Sequence, residues 1–214
     1  MKKIKLFIPA LICAMELTAC NNTPEAAVSA ENAAPEAPTF QEVLVSRRSV
    51  RDYDSTKTIS KEEVTTLLKA VQEAPSWANQ QSTRYYVVMS PEQLKALKDI
   101  MPEGNRKSVQ NAPVILVTTY VKNVSGFFQD KPLNEVGNGW GCYDNGVSNA
   151  FLILQAKAMG FDTLIMGQGD FDGVRELLGI PDTEAVTSTI SLGYRASDPQ
   201  RPERKALEEV VKFY

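Results

Sequence analysis

The segment Val45-Ser46-Arg47-Arg48-Ser49-Val50-Arg51-Asp52-Tyr53 directly follows Phe40, Val43 and Leu44, which recur at helical spacing. Three arginines and a serine fall within five of its residues. A guanidinium group presents pairs of donors that match phosphate oxygens, and a neighbouring hydroxyl can add another donor. The segment therefore has the donors of an anion-binding site, although the same residues are also typical of an exposed basic surface.

The first twenty residues have the pattern of an export signal. Three lysines precede the apolar residues 6–15, a run too short to span a bilayer. The sequence Leu17-Thr18-Ala19-Cys20 resembles the lipobox of bacterial lipoproteins, which implies cleavage before Cys20 and lipid attachment to it. We expect residues 1–19 to be the signal peptide of a protein anchored to a membrane, on its periplasmic side or at the cell surface. An ordinary secretory signal and an apolar N-terminal helix are the alternatives.

Composition separates a tether from a domain. Residues 20–39 are rich in Ala, Pro, Glu, Asn and Ser, so we expect them to be a disordered tether that starts at the lipidated cysteine. Residues 40–214 are enough for one domain with a substantial core. Removing the three lysines and one glutamate of the presequence leaves 20 of 23 basic and 25 of 26 acidic residues. This net negative charge argues against a nucleic-acid partner.

Residue content excludes several catalytic machineries. The chain has no histidine, which excludes Ser-His-Asp and Cys-His catalysis and imidazole-metal sites, and we expect no metal. No Walker loop or GxGxxG motif follows a predicted strand. Cys142 has no basic neighbour in the sequence that would favour its thiolate, and it is more typical of a structural residue than of a nucleophile. Chemistry performed by an organic cofactor remains.

The apolar pattern of the domain predicts mixed helices and strands. Helices are predicted from the Ser60 capping box towards Pro75, from Pro91, from Asp144 to Gly160, and over Phe171–Leu178. Strands are predicted over residues 84–89, 113–120, 164–166 and 186–194. Because these elements do not alternate as βαβ units, an α+β fold is favoured over a doubly wound sheet.

Two details of this pattern concern the longest helix and the chain end. We expect Asp144 to be the N-cap of that helix, and the inward side chains to be those of Val147, Phe151, Leu154 and Ala158. The β-favouring residues 206–214 must pair with something or fray, and a second subunit is one solution.

Three further stretches have polar groups suited to a ligand. Residues 75–81, Pro-Ser-Trp-Ala-Asn-Gln-Gln, place short polar side chains after a helix end. Residues 166–170 place two glycines between a strand and a helix, where backbone N–H groups can approach a ligand. Residues 201–205 form a second basic cluster. A turn, a helix cap and an exposed basic run are the respective alternatives.

Together these stretches resemble the FMN-dependent nitroreductase family over the whole domain. The resemblance rests on six segments in the family's order, RRSVRDY, PSWANQQ, NRKSVQNAPVIL, DNGVSNAFLILQAKAMGF, MGQGDFDGVRELLGIP and SLGYRASDPQRPERKALEEVV. It implies an α+β fold with a mixed, mostly antiparallel sheet flanked by helices. It also implies a homodimer that exchanges C-terminal segments and binds two FMN molecules at its interface.

The resemblance also implies which residues bind the cofactor. The phosphate and ribityl chain would be held by Arg47, Arg48, Ser49 and Arg51, with Arg204 and Lys205 completing the phosphate site. The isoalloxazine ring would be lined, from the second subunit, by Pro75, Ser76, Trp77, Asn79 and Gln81. The pyrimidine edge of the ring would meet Asn105, with Lys107 or Ser108 nearby. The N5 and O4 edge would face backbone donors of Gly167, Gln168 and Gly169. The substrate pocket would be walled by Phe127, Phe128, Trp140 and Tyr143, for which core packing is the alternative.

The sequence departs from the family at three places. Trp77 stands where a small hydroxyl is common, Gln81-Ser82-Thr83 replaces Gln-Pro-Trp, and Gly167-Gln168-Gly169 replaces Gly-Gly-aromatic. These differences affect the expected substrate preference more than the expected binding of FMN.

The implied activity is ping-pong hydride transfer, with no side chain as nucleophile. The donor is NAD(P)H or another reductant, and the acceptor is a nitroaromatic, a quinone or an enone. Another reductant is considered because NAD(P)H is scarce outside the cytoplasm. The alternative is a membrane-tethered flavin-binding electron carrier or sensor that does not turn over small molecules. A third hypothesis is a family scaffold redirected to one dedicated metabolite.

Overall fold

The fold is built on a four-stranded sheet in the computed structural model, which describes residues 37–214. The six strands are β1 (Thr83–Val88), β2 (Val114–Val121), β3 (Phe127–Phe128), β4 (Lys131–Pro132), β5 (Asp162–Met166) and β6 (Glu184–Gly193). The main sheet has the order β1-β2-β6-β5, while β3 and β4 form a separate hairpin. All these pairings are antiparallel, and a parallel bridge joins Ser49 to Thr163 in β5. The predicted mixed, mostly antiparallel sheet is therefore confirmed.

Helices cover both faces of the main sheet. They are α1 (Phe40–Ser46), α2 (Lys61–Val71), α3 (Pro91–Asp99), α4 (Glu103–Ser108), α5 (Gly139–Ala158), α6 (Phe171–Leu178) and α7 (Leu207–Val210). Leu67 of α2 and Leu152 of α5 pack in one core cluster, and Leu97 of α3 packs in the other with Val174 of α6. The central strand β2 contributes to both clusters and is buried on both sides, which explains its continuous apolar sequence.

Local sequence signals place the start of α2 and the end of α6 correctly. The Ser60 hydroxyl accepts the Glu63 backbone N–H and the Glu63 side chain accepts the Ser60 N–H, which confirms the predicted capping box at α2. The predicted stop of α6 is also confirmed, since Gly179 adopts a left-handed φ of 64°. The six-residue α4 and the β3–β4 hairpin were not predicted, because α4 has no apolar period and the hairpin strands have two residues each.

The prediction for α5 was wrong in its start and in its buried face. The helix begins at Gly139, so Asp144 lies inside it and does not cap it. Its buried face contains Leu152 together with polar Asp144 and Asn145, while Phe151 is 38% exposed. The spacing of the apolar residues predicted the wrong buried face because the buried polar side chains of α5 have hydrogen-bond partners within the domain. The Asn145 amide, for example, donates to the carbonyl of Thr119 at 3.0 Å.

The chain end has little contact with the rest of the described residues. Within the β-favouring tail, Leu207–Val210 form the helical turn α7, and Val211 directly after it is extended (φ −127°, ψ 138°). Leu207, Val210, Phe213 and Tyr214 are all exposed. Pairing of this tail with a second subunit stays a prediction.

The predicted signal peptide, Cys20 and most of the predicted tether lie outside the described residues. Within residues 37–214, which form one unit, no helix has the length and apolarity required to cross a bilayer.

Candidate active site

Two basic stretches from opposite ends of the domain meet in one cavity. Arg47, Arg48, Ser49 and Arg51, which follow α1, line a cavity of about 300 Å³ together with Arg204. The lining is completed by Pro199, Gln200 and Pro202. We call this cavity the arginine pocket. The structure thus brings together five of the six residues predicted to bind the phosphate and ribityl chain. The sixth, Lys205, does not line this cavity.

The guanidinium groups of the arginine pocket have no ion-pair partner among the described residues. Among residues 37–214, no carboxylate lies within 4.0 Å of its four guanidinium groups. Burial lowers the pKa of Arg47, and the positive charges of Arg204 and Arg48 lower it further. The Nε atom of Arg48 is buried and has no hydrogen-bond partner among the described residues. Clustered cations with an unsatisfied donor are stabilised by an anion, and phosphate has acceptor oxygens for several guanidinium groups.

An ion pair fixes the backbone that leads into the arginine pocket. Arg195 donates from Nε to Oδ2 of Asp162 at 2.7 Å and from Nη2 to Oδ1 at 2.5 Å. Nη2 also donates to the carbonyl of Ser46 at 3.3 Å, directly before Arg47. The hydrogen bonds from Arg195 to Asp162, a side chain only 3% exposed, raise the pKa of Arg195.

Hydrogen bonds to the sheet hold the residues that follow the first two arginines. The Val50 N–H donates to the carbonyl of Thr163 at 3.0 Å. The buried hydroxyl of Tyr53 bonds Ser191 in β6 at 2.8 Å, and burial raises the pKa of Tyr53. The segment 49–53 is therefore attached to β5 and β6 rather than lying as a free loop.

Contacts between α4 and the loop after β5 join a second group of predicted residues. The Asn105 amide donates to the carbonyl of Gln168 at 2.8 Å. A Cβ at Gly167 would meet nothing within 4 Å among the described residues, which leaves its backbone approachable. By contrast, Lys107 pairs with Glu103 and Ser108 bonds the carbonyl of Gly104, so both have partners inside α4.

The 75–81 segment has a conformation that its own sequence does not favour. Ala78, Asn79 and Gln81 have φ values of 44°, 54° and 49°, a region that costs about 1 kcal/mol for each non-glycine residue. The Ser76 hydroxyl accepts the Gln81 N–H at 2.9 Å. The Trp77 N–H donates to both carboxylate oxygens of buried Asp144, each at 3.0 Å. This segment and the arginine pocket line separate cavities.

The four aromatic residues predicted to wall the substrate pocket differ in exposure. Trp140 packs against Gly126, where a Cβ would lie 2.4 Å from its ring, and it bonds Asn134 at 3.1 Å. Its ring meets that of Tyr143 edge to face at 5.8 Å. Phe128 and Tyr143 are each 64% exposed, and Phe127 is half-buried. Trp140 is half-buried and held by these local contacts, and the rings of Phe128 and Tyr143 remain accessible.

Comparison with known proteins identifies the family. The signature of the Nitroreductase family matches residues 44–194, which is more than half of the chain. The chain belongs to the nitroreductase family. An Archaeoglobus fulgidus protein provisionally named NADH dehydrogenase/NAD(P)H nitroreductase is 30% identical over 156 residues, covering 71% of this chain and 83% of that protein.

Solved structures of other proteins have the same fold. A provisionally named nitroreductase from Exiguobacterium sibiricum, solved in complex with FMN, has a TM-score of 0.75 at 22% identity and covers 83% of this chain and 98% of its own. A gut-bacterial enone reductase of fatty acid saturation has a TM-score of 0.73 at 23% identity, covering 81% and 97%.

Several residues that shape the site were missed in the sequence. Asp162 and Arg195 lie 33 positions apart, and only the pairing of β5 with β6 brings them together. Asp144 was interpreted as a helix cap, although it holds the 75–81 segment. No local pattern identifies these pairs, and knowledge of the strand register would have revealed the first. Among the described residues, no group of acidic or cysteine side chains is arranged to hold a metal ion.

Proposed function

We propose that this chain is an FMN-dependent oxidoreductase. Its donor is NAD(P)H or another reductant, and its acceptor is a small electron-poor molecule such as a nitroaromatic, a quinone or an enone. The observation that carries the proposal is the arginine pocket, which has four guanidinium groups, no carboxylate within reach among residues 37–214 and a buried donor without a partner. The names of the family relatives support the reaction class, and the FMN complex of the Exiguobacterium protein supports the cofactor.

The residues present fit FMN by charge and by donor type. Arg47, Arg48, Arg51 and Arg204 hold the phosphate, and the Ser49 hydroxyl adds a donor. Gly167, whose backbone is approachable, would meet the ring together with Gln168 and Gly169, and the bond from Asn105 keeps that loop in place. When bound, FMN supplies the hydride-accepting and hydride-donating centre that no side chain of this chain provides.

The active protein is a homodimer in this proposal. The 75–81 segment, which lines a cavity separate from the arginine pocket, contacts the cofactor bound by the other subunit. Exposed apolar side chains on α1, on α5 and in the tail supply the surface for such an assembly, among them Phe40, Phe151 and Phe213.

The first experiment is an absorbance spectrum of the purified domain, followed by anaerobic titration with NADH and NADPH. We expect a flavin spectrum that bleaches and recovers when a quinone or a nitroaromatic is added. A flavin spectrum that responds to neither nucleotide indicates another donor or an electron carrier. A colourless protein that takes up no added FMN contradicts the proposal.

A double substitution tests the phosphate assignment. Arg47→Ala/Arg204→Ala removes one guanidinium from each basic stretch, and we expect FMN affinity to fall about 100-fold or more, since hydrogen bonds to charged groups are involved. The matched control, Lys61→Ala/Lys95→Ala, removes the same charge from exposed positions outside the arginine pocket and should leave the affinity unchanged. Wild-type FMN affinity in the arginine variant refutes the assignment.

We also propose that the protein is exported and lipidated at Cys20, on the strength of its lipobox-like sequence. Cells fed a palmitate analogue should label the wild type and Cys142→Ser, the control, but not Cys20→Ser. Equal labelling of Cys20→Ser contradicts lipidation at this position.

A further inference from the structure

A buried carboxylate in the N-terminal half of α5, that of Asp144, has no cationic partner among the described residues. Asp144 is 2% exposed. Among residues 37–214, no lysine or arginine lies within 4.0 Å of its oxygens. Burying an unpaired charge is unfavourable, so the groups that donate hydrogen bonds to it indicate what this carboxylate contributes.

Its donors belong to the 75–81 segment and to a serine relay. The Trp77 N–H donates to Oδ1 and Oδ2, each at 3.0 Å, and the Ser125 hydroxyl donates to Oδ2 at 2.7 Å. The oxygen of Ser125 lies 2.9 Å from that of Ser82, and both serines are 1% exposed. Since Trp77 starts the turn and Ser82 directly follows Gln81, the carboxylate reaches both ends of the same short loop.

The loop between these two ends is the part that needs external support. Ala78, Asn79 and Gln81 have left-handed φ values, and a strained backbone of this kind persists only where its surroundings determine it. Within the loop, Ser76 bonds the Gln81 N–H, but this bond does not attach the loop to the rest of the domain. Asp144, together with the hydrogen-bonded pair Ser125 and Ser82, attaches the loop to the rest of the domain.

We propose that Asp144 is a positioning residue whose bonds to Trp77 and, through Ser125, to Ser82 fix the 75–81 segment in the shape that contacts FMN. We call these four hydrogen bonds, two of which share the Trp77 N–H, the Asp144 clamp. The inference rests on the proposed function for its ligand, but the clamp itself is a property of the free protein. Asp144 therefore acts through Trp77 and its neighbours and does not touch the reacting atoms.

The test follows the loop and the cofactor separately, in the full-length chain. Because the chain has two tryptophans, a Trp140→Phe background leaves Trp77 as the single reporter of the loop. In the FMN-free protein with this background, Asp144→Ala should shift the emission of Trp77 and increase its quenching by acrylamide. In the native-tryptophan background, the same substitution should weaken FMN binding about 10- to 100-fold, as expected for lost charge-assisted bonds.

Two further variants separate positioning from general stability. Asp144→Asn keeps an acceptor for the Trp77 N–H, and the Ser125 hydroxyl can turn towards Ser82, so both readouts should lie between wild type and Asp144→Ala. Thr187→Val is the matched control, because it removes a half-buried hydroxyl that donates to the next residue of α5, Asn145, at 2.6 Å. It should lower stability without changing Trp77 emission or FMN affinity.

The outcomes distinguish the clamp from the proposed function. If the emission of Trp77 and the FMN affinity of Asp144→Ala match those of Thr187→Val, the clamp is overturned. If Asp144→Ala changes the emission of Trp77 but not the FMN affinity, Asp144 does not position the 75–81 segment for FMN. If Asp144→Ala does not fold, Ser125→Ala and Asp144→Asn give the same comparison. A wild type that binds no FMN refutes the proposed function, and the emission of Trp77 then still decides whether the clamp exists.

Discussion

Arg195 joins three parts of the chain that are distant in sequence. Its guanidinium group bonds both oxygens of Asp162 at the start of β5, the carbonyl of Ser46 at the end of α1, and the carboxylate of Asp198. Ser46 precedes the first arginine of the arginine pocket, and Asp198 precedes the 199–204 stretch that completes it. One side chain therefore orders the backbone on both sides of the proposed phosphate site.

Replacing Arg195 should affect stability and cofactor binding together. We expect Arg195→Ala to lower the free energy of unfolding by about 2–4 kcal/mol, because among residues 37–214 buried Asp162 then keeps only Lys157, at 3.2 Å, as a cationic partner. FMN affinity should fall about tenfold as the Ser46 carbonyl is released, by the loss of roughly one charge-assisted bond. Arg195→Lys keeps the charge without the bidentate geometry and should give intermediate values. Urea unfolding of the FMN-free protein and FMN titration measure the two effects.

Arg175 provides the control for this prediction. Its side chain is 23% exposed, close to the 21% of Arg195, and it bonds the carbonyls of Pro181 and Glu184 at 3.0 Å each. Arg175→Ala should cost about 1–2 kcal/mol of stability and leave FMN affinity unchanged. If Arg195→Ala loses no more FMN affinity than Arg175→Ala, the ion pair does not order the arginine pocket.

At the scale of the element, local signals were sufficient wherever the cause of a structure is local. The capping box at Ser60 and the left-handed Gly179 follow from the chemistry of neighbouring residues. The apolar run of β2 correctly predicted a central strand. The two basic stretches also proved to meet, although composition alone could not show that they would.

The failure at α5 has a physical explanation at the same scale. The helix α5 buries polar Asn145 and Asn149 beside apolar Leu152, so hydrophobicity alone does not identify its inner face. It is stable because buried Asn145 and Asn149 bond each other at 2.9 Å, and Asn149 also bonds Tyr85 of β1 at 3.0 Å. The apolar period selected Phe151, which lies on the outer face at 38% exposure. A single sequence does not reveal such long-range hydrogen-bond partners. Where they determine which side chains are buried, the apolar periodicity assigns the wrong face of the helix to the interior.

At the scale of the whole molecule, the described chain leaves a substantial apolar surface uncovered. Leu207, Val210, Phe213 and Tyr214 are 59%, 63%, 89% and 112% exposed. Among the described residues, β1 is an edge strand whose backbone has a strand partner on one side only, and its Val87 is 36% exposed. Burying a large apolar side chain is worth roughly 1.5–3 kcal/mol, so a second copy of the chain would gain stability by covering the tail.

Replacing the last two aromatic residues tests the proposed dimer. We expect the domain to sediment as a dimer and Phe213→Ser/Tyr214→Ser to dissociate at least about 100-fold more readily, by the loss of roughly 3 kcal/mol of apolar burial. Because the proposed cofactor site needs both subunits, FMN should be lost at the concentrations where the variant becomes monomeric. Lys212→Ser, a polar change in the same tail, should leave both properties unchanged. Sedimentation equilibrium with parallel flavin absorbance measures the two together. A variant that remains dimeric shows that the tail is not the contact. A variant that becomes monomeric yet retains FMN shows that one subunit holds the cofactor by itself, which contradicts the placement of the 75–81 segment against the cofactor of the other subunit.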